Sequence, residues 1–136
     1  MGWFKIKINP TDKAMSLLVR ELADWKCERC GRQFSPPTAI LQNSHFISRG
    51  NLSTRYDLEN TAALCVSCHR HFSQFENQKE HKRFFVRKLG RKRFKKLMER
   101  KNFFFKASGQ DESSICLGFK YALKELLNKK IIGVKQ

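Results

Sequence analysis

Apolar side chains recur at helical spacing near the start of the chain. Residues 3–8, Trp-Phe-Lys-Ile-Lys-Ile, alternate apolar and basic side chains and predict a short strand or an extended arm. The run Asn-Pro-Thr-Asp that follows is a helix-start signal, and Leu17, Leu18 and Leu22 then follow helical spacing. The pattern predicts an N-terminal arm and a helix that ends near Asp24.

The middle of the chain has two short apolar runs separated by polar residues. Residues 38–42, Thr-Ala-Ile-Leu-Gln, and residues 61–65, Thr-Ala-Ala-Leu-Cys, each have the length of a strand. The residues from Gly50 to Asn60 are polar and irregular. We therefore expect two strands joined by a long loop, with a helix that begins near Val66.

The second half of the chain carries a dense basic segment with apolar residues at helical intervals. Residues 79–101 predict two short helices that break near Gly90, each with an apolar stripe and a basic face. Residues 102–106, Asn-Phe-Phe-Phe-Lys, resemble an extended connector. A last helix capped within residues 111–114 should run to about Asn128. Its inward side chains should be Phe119, Leu123, Leu126 and Leu127.

Net charge suggests the kind of partner. The chain has 136 residues, with 28 Lys and Arg against 12 Asp and Glu, which leaves a net charge of +16. Such an excess attracts polyanions, and nucleic acid is the first candidate because neutralising its phosphates releases counterions. A basic structural protein of the ribosomal kind is the alternative that charge alone leaves open.

Two Cys-x-x-Cys pairs indicate a metal site. Cys27 and Cys30 form one pair, and Cys65 and Cys68 form the other. The N-terminal residues contain an early lysine pair and no long apolar run, so we expect neither a signal peptide nor a membrane span. In a cytoplasmic chain, two such pairs predict a closed, structural Zn²⁺ site rather than disulfides. Four unrelated buried cysteines are the alternative, and Cys116 is expected to be a core residue.

The residues between the two cysteine pairs resemble a known family. The segment Ser-His-Phe-Ile-Ser-Arg-Gly at 44–50, followed by Asn60, the second cysteine pair and His69, resembles the HNH, or His-Me finger, nucleases. His45, Arg55 and Asn60 with Cys65-x-x-Cys68 resemble, more narrowly, the NinG/Rap recombination endonucleases of lambdoid phages. The family resemblance implies a two-stranded hairpin followed by a helix, the ββα-metal core, and covers roughly residues 24–100.

The resemblance implies a role for each motif residue. His45 would be the general base that takes a proton from the attacking water. Asn60 would hold the loop and orient His45 through the backbone. His69 would bind a single Mg²⁺ or Mn²⁺ ion beside the scissile phosphate, apart from the structural zinc. Without the motif, His45 would be read as a surface histidine and Asn60 as a turn residue.

Two positions depart from the usual motif. Ser44 stands where many members of the family have an Asp or His ligand, and Ser73 stands where some have a further histidine. Glu76 would lie on the face of His69 if one helix continued that far, which makes it a candidate ligand. His71 is expected to be solvated or to contact phosphate, and His81 to lie at the surface.

Basic side chains around the motif are candidates for contacts with DNA phosphates. Arginine suits phosphate because its guanidinium donates two parallel hydrogen bonds. Contacts of this kind position a duplex without reading its sequence. The candidates are Arg49, Arg55, Arg70, Lys82, Arg83, Arg87, Arg91 and Arg93.

These patterns lead to one interpretation. We expect a single α+β domain over residues 1–136, in which an arm and helix (1–26) precede a zinc-stapled HNH core (27–78) and basic helices with a C-terminal helix (79–136). It should be a metal-dependent DNA endonuclease of low sequence specificity, acting in the cytoplasm of a bacterial host if phage-encoded. Branched recombination DNA is a candidate substrate and would allow a homodimer. The alternative is a zinc-containing nucleic-acid-binding module with an inactive nuclease site.

Overall fold

A computed structural model describes residues 7–102 and 112–134. Its strands are β1 (Leu41–His45) and β2 (Thr61–Cys65). Its α-helices are α1 (Pro10–Leu22), α2 (Val66–Ser73), α3 (Gln78–Leu89), α4 (Arg91–Lys101) and α5 (Glu112–Val134). The predicted arm at residues 3–8 falls largely outside the described residues, as does nearly all of the connector at 102–106. In the described ranges, every helix is too short or too polar to cross a membrane.

Helix α1 begins where the sequence predicts. Asn9 is its N-cap and accepts a hydrogen bond from the Asp12 amide at 2.8 Å, while the Asp12 carboxylate accepts one from the Asn9 amide at 2.9 Å. This reciprocal capping box satisfies backbone donors that the first helical turn leaves unpaired. Pro10 fits the first helical position because that residue needs no amide donor. Met15 and Leu18 are buried and anchor the helix to the core.

The two strands form an antiparallel hairpin that precedes α2. Leu41 pairs with Cys65 and His45 pairs with Thr61, so the long loop over residues 46–60 joins the ends near His45. Every residue of β2 is buried, and α2 follows it without a break. The predicted α+β class is confirmed: a ββα unit carries further helices on both sides.

Helices α3 and α4 pack an aromatic cluster against this unit. Gly90 separates them at a φ of 81°, a backbone conformation that favours glycine, as the sequence predicts for the break. The Phe46 ring lies 5.1 Å from that of Phe85 and 5.5 Å from that of Phe94. The cluster therefore holds the start of the 46–60 loop against both basic helices.

Helix α5 is longer than the sequence predicts and continues to Val134. It packs against α1, and Lys130 forms an ion pair with Glu21 at 2.7 Å that extends this contact beyond Asn128. Leu123 and Leu126 lie against the core, but Leu127 is 40% exposed, so its predicted inward position is wrong. The helical rotation of 100° per residue carries Leu127 past the edge of the α1 contact. The predicted cap at Asp111 lies outside the described residues.

The surface position predicted for His81 is wrong. Its side chain is 6% exposed and its ring stacks on Phe72 at 4.6 Å between centroids. His81 lies in a run of basic residues, and its neighbours Lys82 and Arg83 are exposed, so no local pattern indicates that this one position of α3 faces inward. Burial, with a smaller contribution from the charge of His69, lowers the pKa of His81 to about 4.

We expect His81→Phe to make stability less dependent on pH. An unfolded histidine takes up a proton near pH 6.5, whereas folded His81 does so only near its lowered pKa of about 4, so protonation favours the unfolded chain as the pH falls between these values. The lowered pKa corresponds to a loss of about 3 kcal/mol in the free energy of unfolding as the pH falls from 6.5 to about 4. Phenylalanine keeps the stack and does not titrate. Urea unfolding across the same pH range measures the difference, and two parallel curves would contradict the expectation.

Candidate metal centre and active-site cleft

The four motif cysteines converge at one end of the hairpin. Cys27 and Cys30 lie in the turn after α1, Cys65 ends β2, and Cys68 lies in the first turn of α2. Their sulfur atoms all lie within 4.8 Å of one another, and those of Cys30 and Cys65 are 3.9 Å apart. A tetrahedral zinc ion with Zn–S bonds of about 2.3 Å places its sulfurs about 3.8 Å apart. The cluster therefore fits a structural zinc ion.

The electrostatics of the cluster favour a bound cation. Burial raises the pKa of Cys68, even though the Arg29 guanidinium donates a hydrogen bond to its sulfur at 3.3 Å. Burial also opposes ionisation of Cys65, but hydrogen bonds from the Cys68 amide and the Ser67 hydroxyl lower its pKa. Four thiolates so close together, three of them buried, repel one another unless a cation compensates them, and Zn²⁺ would provide that charge.

A cleft of about 830 Å³ opens beside the hairpin. Asp12, Lys13 and Arg20 from α1 line one side, and His45 and His69 line the other. The cleft therefore brings together two of the three predicted motif residues. It also adds a wall from α1, which precedes the motif.

His45 is oriented by a backbone carbonyl. Its Nε2 lies 2.8 Å from the carbonyl oxygen of Arg55. A carbonyl oxygen only accepts, so Nε2 carries the proton and the lone pair of the neutral ring is on Nδ1. Burial lowers the pKa of His45, although the hydrogen bond to Arg55 opposes the shift. His45 is therefore a neutral imidazole in one tautomer at neutral pH, as a general base requires.

Asn60 ties together the two ends of the 46–60 loop. Its side chain is fully buried, and its Oδ1 accepts from the Ile47 amide at 2.7 Å. Its Nδ2 donates to the carbonyls of Ile47 and Thr54 at 2.9 and 3.1 Å. Thr54 directly precedes Arg55, so Asn60 holds the peptide whose next carbonyl binds His45. Its contact with the histidine runs through the loop backbone.

His69 lies on α2 with one ring nitrogen engaged. Its Nδ1 donates to the Oε1 of Gln42 at 2.8 Å, which leaves the lone pair on Nε2. Burial lowers the pKa of His69. A hydrogen bond from the other ring nitrogen fixes the tautomer of a metal-binding histidine in this way. His69 therefore has the donor atom that a cation in the cleft would require.

Asn43, rather than Ser44, reaches the cleft from β1. Ser44 is 1% exposed and pairs with Ala62. Asn43 lies two residues before His45, on the same face of the strand, and lines the cleft. Its Oδ1 is buried without a hydrogen-bond partner. A carbonyl oxygen without a partner, on a residue that lines the same cleft as His69, fits a hard divalent ion, for which His69 and Asn43 would be protein ligands.

The other acidic and histidine candidates lie elsewhere. Helix α2 ends at Ser73, and Glu76 follows in a 3₁₀ turn at Phe75–Asn77. The prediction that Glu76 shares a helix face with His69 required one continuous helix, so it is wrong. His71 Nε2 lies 2.7 Å from Glu80, so this histidine is paired within the fold. Among residues 7–102 and 112–134, the four cysteines form the only cluster of three or more His, Cys, Asp or Glu side chains that could hold a metal.

Most of the basic candidates for phosphate contact lie at the surface or line the cleft, and one is mostly buried in an ion pair. Arg49 lines the cleft, and Arg93 bonds Glu59 at 2.6 Å while 61% of its side chain stays exposed. Arg55 differs, because its guanidinium bonds Asp12 and only 11% of its side chain is exposed. The remaining candidates are exposed on α2, α3 and α4: Arg70, Lys82, Arg83, Arg87 and Arg91.

Three residues of the cleft were missed from the sequence. Gln42 is the last residue of the predicted strand at 38–42, and Asn43 lies just beyond it, whereas the observed strand runs over Leu41–His45. With those bounds, the alternation of side chains would have placed Asn43 on the face of His45. Asp12 was recognised only as part of a helix-start signal. Its pairing with Arg55 joins residues 43 positions apart, and no local pattern predicts that contact.

Of three comparisons with known proteins, only the one with family models gives a match, and it covers the central part of the chain. No curated protein and no solved structure matches the chain. The ββα unit with its cysteine cluster is consistent with an HNH ββα-metal core that has flanking helices. Residues 27–75, which contain both cysteine pairs, His45, Asn60 and His69, match the family model described as HNH endonuclease.

Proposed function

We propose that this protein is a metal-dependent DNA endonuclease that hydrolyses phosphodiester bonds with His45 as general base. The observation that carries the proposal is a pair of histidines in one cleft, each with one ring nitrogen hydrogen-bonded to an oxygen atom of the protein. The Nε2 of His45 binds the Arg55 carbonyl, and the Nδ1 of His69 binds Gln42. Each ring then has one unprotonated nitrogen, one suited to accept a proton and the other to bind a cation.

The chain's own residues supply positioning and proton transfer. Nδ1 of His45 accepts the proton of the attacking water, and Arg55 and Asn60 keep the ring in place. Burial lowers the pKa of His45 and so keeps the imidazole unprotonated, with Nδ1 able to accept a proton. Arg49 lines the cleft and would contact phosphate there. A divalent ion at His69 and Asn43 would supply stabilisation of the charge that develops on the phosphate.

The expected catalytic ion is Mg²⁺ or Mn²⁺. One histidine and one amide oxygen are few protein ligands, and Mg²⁺ commonly binds with few protein ligands and several waters. A zinc ion at the four thiolates would have each of its four coordination positions filled by a cysteine and would serve the fold. The two metals therefore have separate roles.

DNA is the expected substrate. The net charge of +16 and the exposed basic side chains of α3 and α4 suit a phosphate backbone, with low sequence specificity. The motif residues also resemble the NinG/Rap recombination endonucleases, and on that resemblance we propose branched phage recombination DNA as a preferred substrate. Resolution of such DNA usually needs two active sites, which suggests a homodimer in the cytoplasm of the host.

A cleavage assay tests the proposal directly. We expect the zinc-loaded protein to cut DNA only when Mg²⁺ or Mn²⁺ is added, and to cut a four-way junction faster than linear duplex or single strand. Gel analysis of the three substrates with Mg²⁺, Mn²⁺ or added Zn²⁺ measures this. Equal rates on all three substrates would remove the preference for branched DNA, and the absence of cleavage with every ion would overturn the endonuclease proposal.

One observation favours a second candidate function. Ser44 is buried in place of the usual ligand, and no acidic side chain accompanies His69 in a metal cluster among the described residues. The second candidate is therefore a zinc-stapled nucleic-acid-binding module whose nuclease site is inactive. Tight, salt-dependent DNA binding without cleavage under any ion would support it.

A further inference from the structure

A buried ion pair links α1 to the loop that orients His45. The Arg55 guanidinium donates to both carboxylate oxygens of Asp12, at 3.1 Å from Nε and 2.6 Å from Nη2. The two side chains are 11% and 6% exposed. Hydrogen bonds and the charge of Arg55 hold the pKa of Asp12 below its ordinary value despite burial, which opposes the shift. The pair is therefore ionised and fork-shaped, the geometry that fixes a guanidinium most firmly.

Arg55, which pairs with Asp12, also contacts His45, the proposed general base. The Arg55 side chain bonds Asp12, and the Arg55 carbonyl accepts from Nε2 of His45 at 2.8 Å. Two more contacts fix this part of the loop: Arg55 donates to the Lys7 carbonyl at 3.0 Å, and Asn9 donates to the Tyr56 hydroxyl at 2.8 Å. Asp12 in the first turn of α1, with Lys7 and Asn9 just before the helix, thus holds residues 55 and 56 by several bonds.

Helix capping alone does not account for this arrangement. Asp12 already completes the capping box with Asn9, and a capping carboxylate needs no buried arginine. A buried ion pair is a weak source of stability because of the desolvation of both charges, so its benefit here is better explained by geometry. Asp12 also lies before residue 27, where the family match begins.

We propose that Asp12 is a positioning residue that fixes the tautomer and orientation of His45 through Arg55. The kinetic part of this inference rests on the proposed endonuclease function, whereas the tautomer part concerns His45 alone. Without the ion pair, the Arg55 side chain no longer anchors its residue to α1, and the carbonyl that accepts from Nε2 of His45 is held less firmly. A neutral ring then populates both tautomers, and the Nδ1–H form cannot accept the proton from water at the same nitrogen.

The variant Asp12→Asn tests the inference in the full-length, zinc-loaded protein. Asparagine keeps the shape and can still cap α1, but it lacks the charge that holds the guanidinium. Nitrogen-detected NMR of His45, at a pH above the ordinary range of histidine titration, should change from one Nε2–H tautomer to a mixture. The kcat of cleavage should fall about 10- to 100-fold, as misplacement of a catalytic group does, with KM for DNA unchanged. Asp12→Glu, which restores the charge, should recover part of both signals.

Glu21→Gln is the matched control. Glu21 is also a shielded carboxylate of α1, 15% exposed, and its ion pair with Lys130 lies on the α5 contact. The control should leave the His45 tautomer and kcat unchanged. Equal effects of the Asp12 and Glu21 variants, or a single Nε2–H tautomer in Asp12→Asn, would overturn the inference. If Asp12→Asn does not fold, Arg55→Lys, which keeps the charge but not the fork, should give the same tautomer mixture.

The two readouts separate this inference from the proposed function. A wild-type protein that cuts no DNA would overturn the endonuclease proposal. The tautomer comparison between Asp12→Asn and Glu21→Gln would still decide whether Asp12 positions His45. A mixture in Asp12→Asn alone supports the positioning role, and identical spectra reject it.

Discussion

Replacing Cys68 by serine should release the zinc and unfold the ββα unit. Cys68 supplies one of four sulfurs that lie within 4.8 Å of one another and join the turn after α1 to the start of α2. The binding free energy of a structural zinc is about 10–16 kcal/mol and adds to folding, while a domain of this size is stable by only about 5–15 kcal/mol. Loss of one ligand should therefore remove most of the stability. Zinc stoichiometry and thermal unfolding measure the effect.

Cys116→Ser is the matched control for this variant. Cys116 is also buried, at 8% exposed, but it lies on α5 apart from the cluster. The same substitution there should cost about 1 kcal/mol, a typical value for a buried point mutation, and leave the zinc content unchanged. Comparable unfolding temperatures for the two serine variants, or a wild-type protein that binds no zinc, would contradict a structural role for the cluster.

Replacing His45 by alanine should abolish cleavage while DNA binding persists. A positioned general base contributes about 100- to 10,000-fold to a rate, so the residual kcat should fall by that factor. Binding depends on the phosphate contacts of basic side chains, which this change does not remove. Cleavage of plasmid DNA with Mg²⁺ or Mn²⁺ measures kcat, and a gel-shift titration measures affinity.

His71→Ala provides the comparison for His45→Ala. His71 is a half-buried histidine on α2 whose ring bonds Glu80. Its removal should change kcat little, since it does not line the cleft. Equal losses of activity in both variants would indicate a general effect on folding. Full activity in His45→Ala would assign the base to another residue.

Much of the described secondary structure follows from local patterns, although β1 lies at Leu41–His45 rather than at the predicted residues 38–42. The capping signal before Thr11, the break at Gly90 and the start of α2 at Val66 all lie where the sequence predicts them. These features depend on dihedral preferences and on unpaired backbone groups, which act within a few residues. The positions of His81 and Leu127 do not follow, because helical periodicity within a basic or apolar run does not identify which face meets a neighbour.

The candidate site was predictable in part for the same reason. The intervals between His45, Asn60 and His69 and the two cysteine pairs are sequence features, and each is short enough to be read as a motif. The ligand position could not be predicted in this way: Ser44 is buried, and the neighbouring Asn43 is the residue that lines the cleft. The pleat of β1 decides this, since adjacent residues of a strand face opposite sides.

The sequence by itself determined the elements, the cysteine cluster and the motif residues, because each depends on residue type and short spacing. Only the tertiary structure decided which tautomer His45 adopts and what holds it there. That answer requires the packing of α1 against the 46–60 loop, which brings Asp12 to Arg55 and the Arg55 carbonyl to His45. Contacts between distant residues depend on how whole elements pack, and hydrophobic packing carries no local signal of its partner.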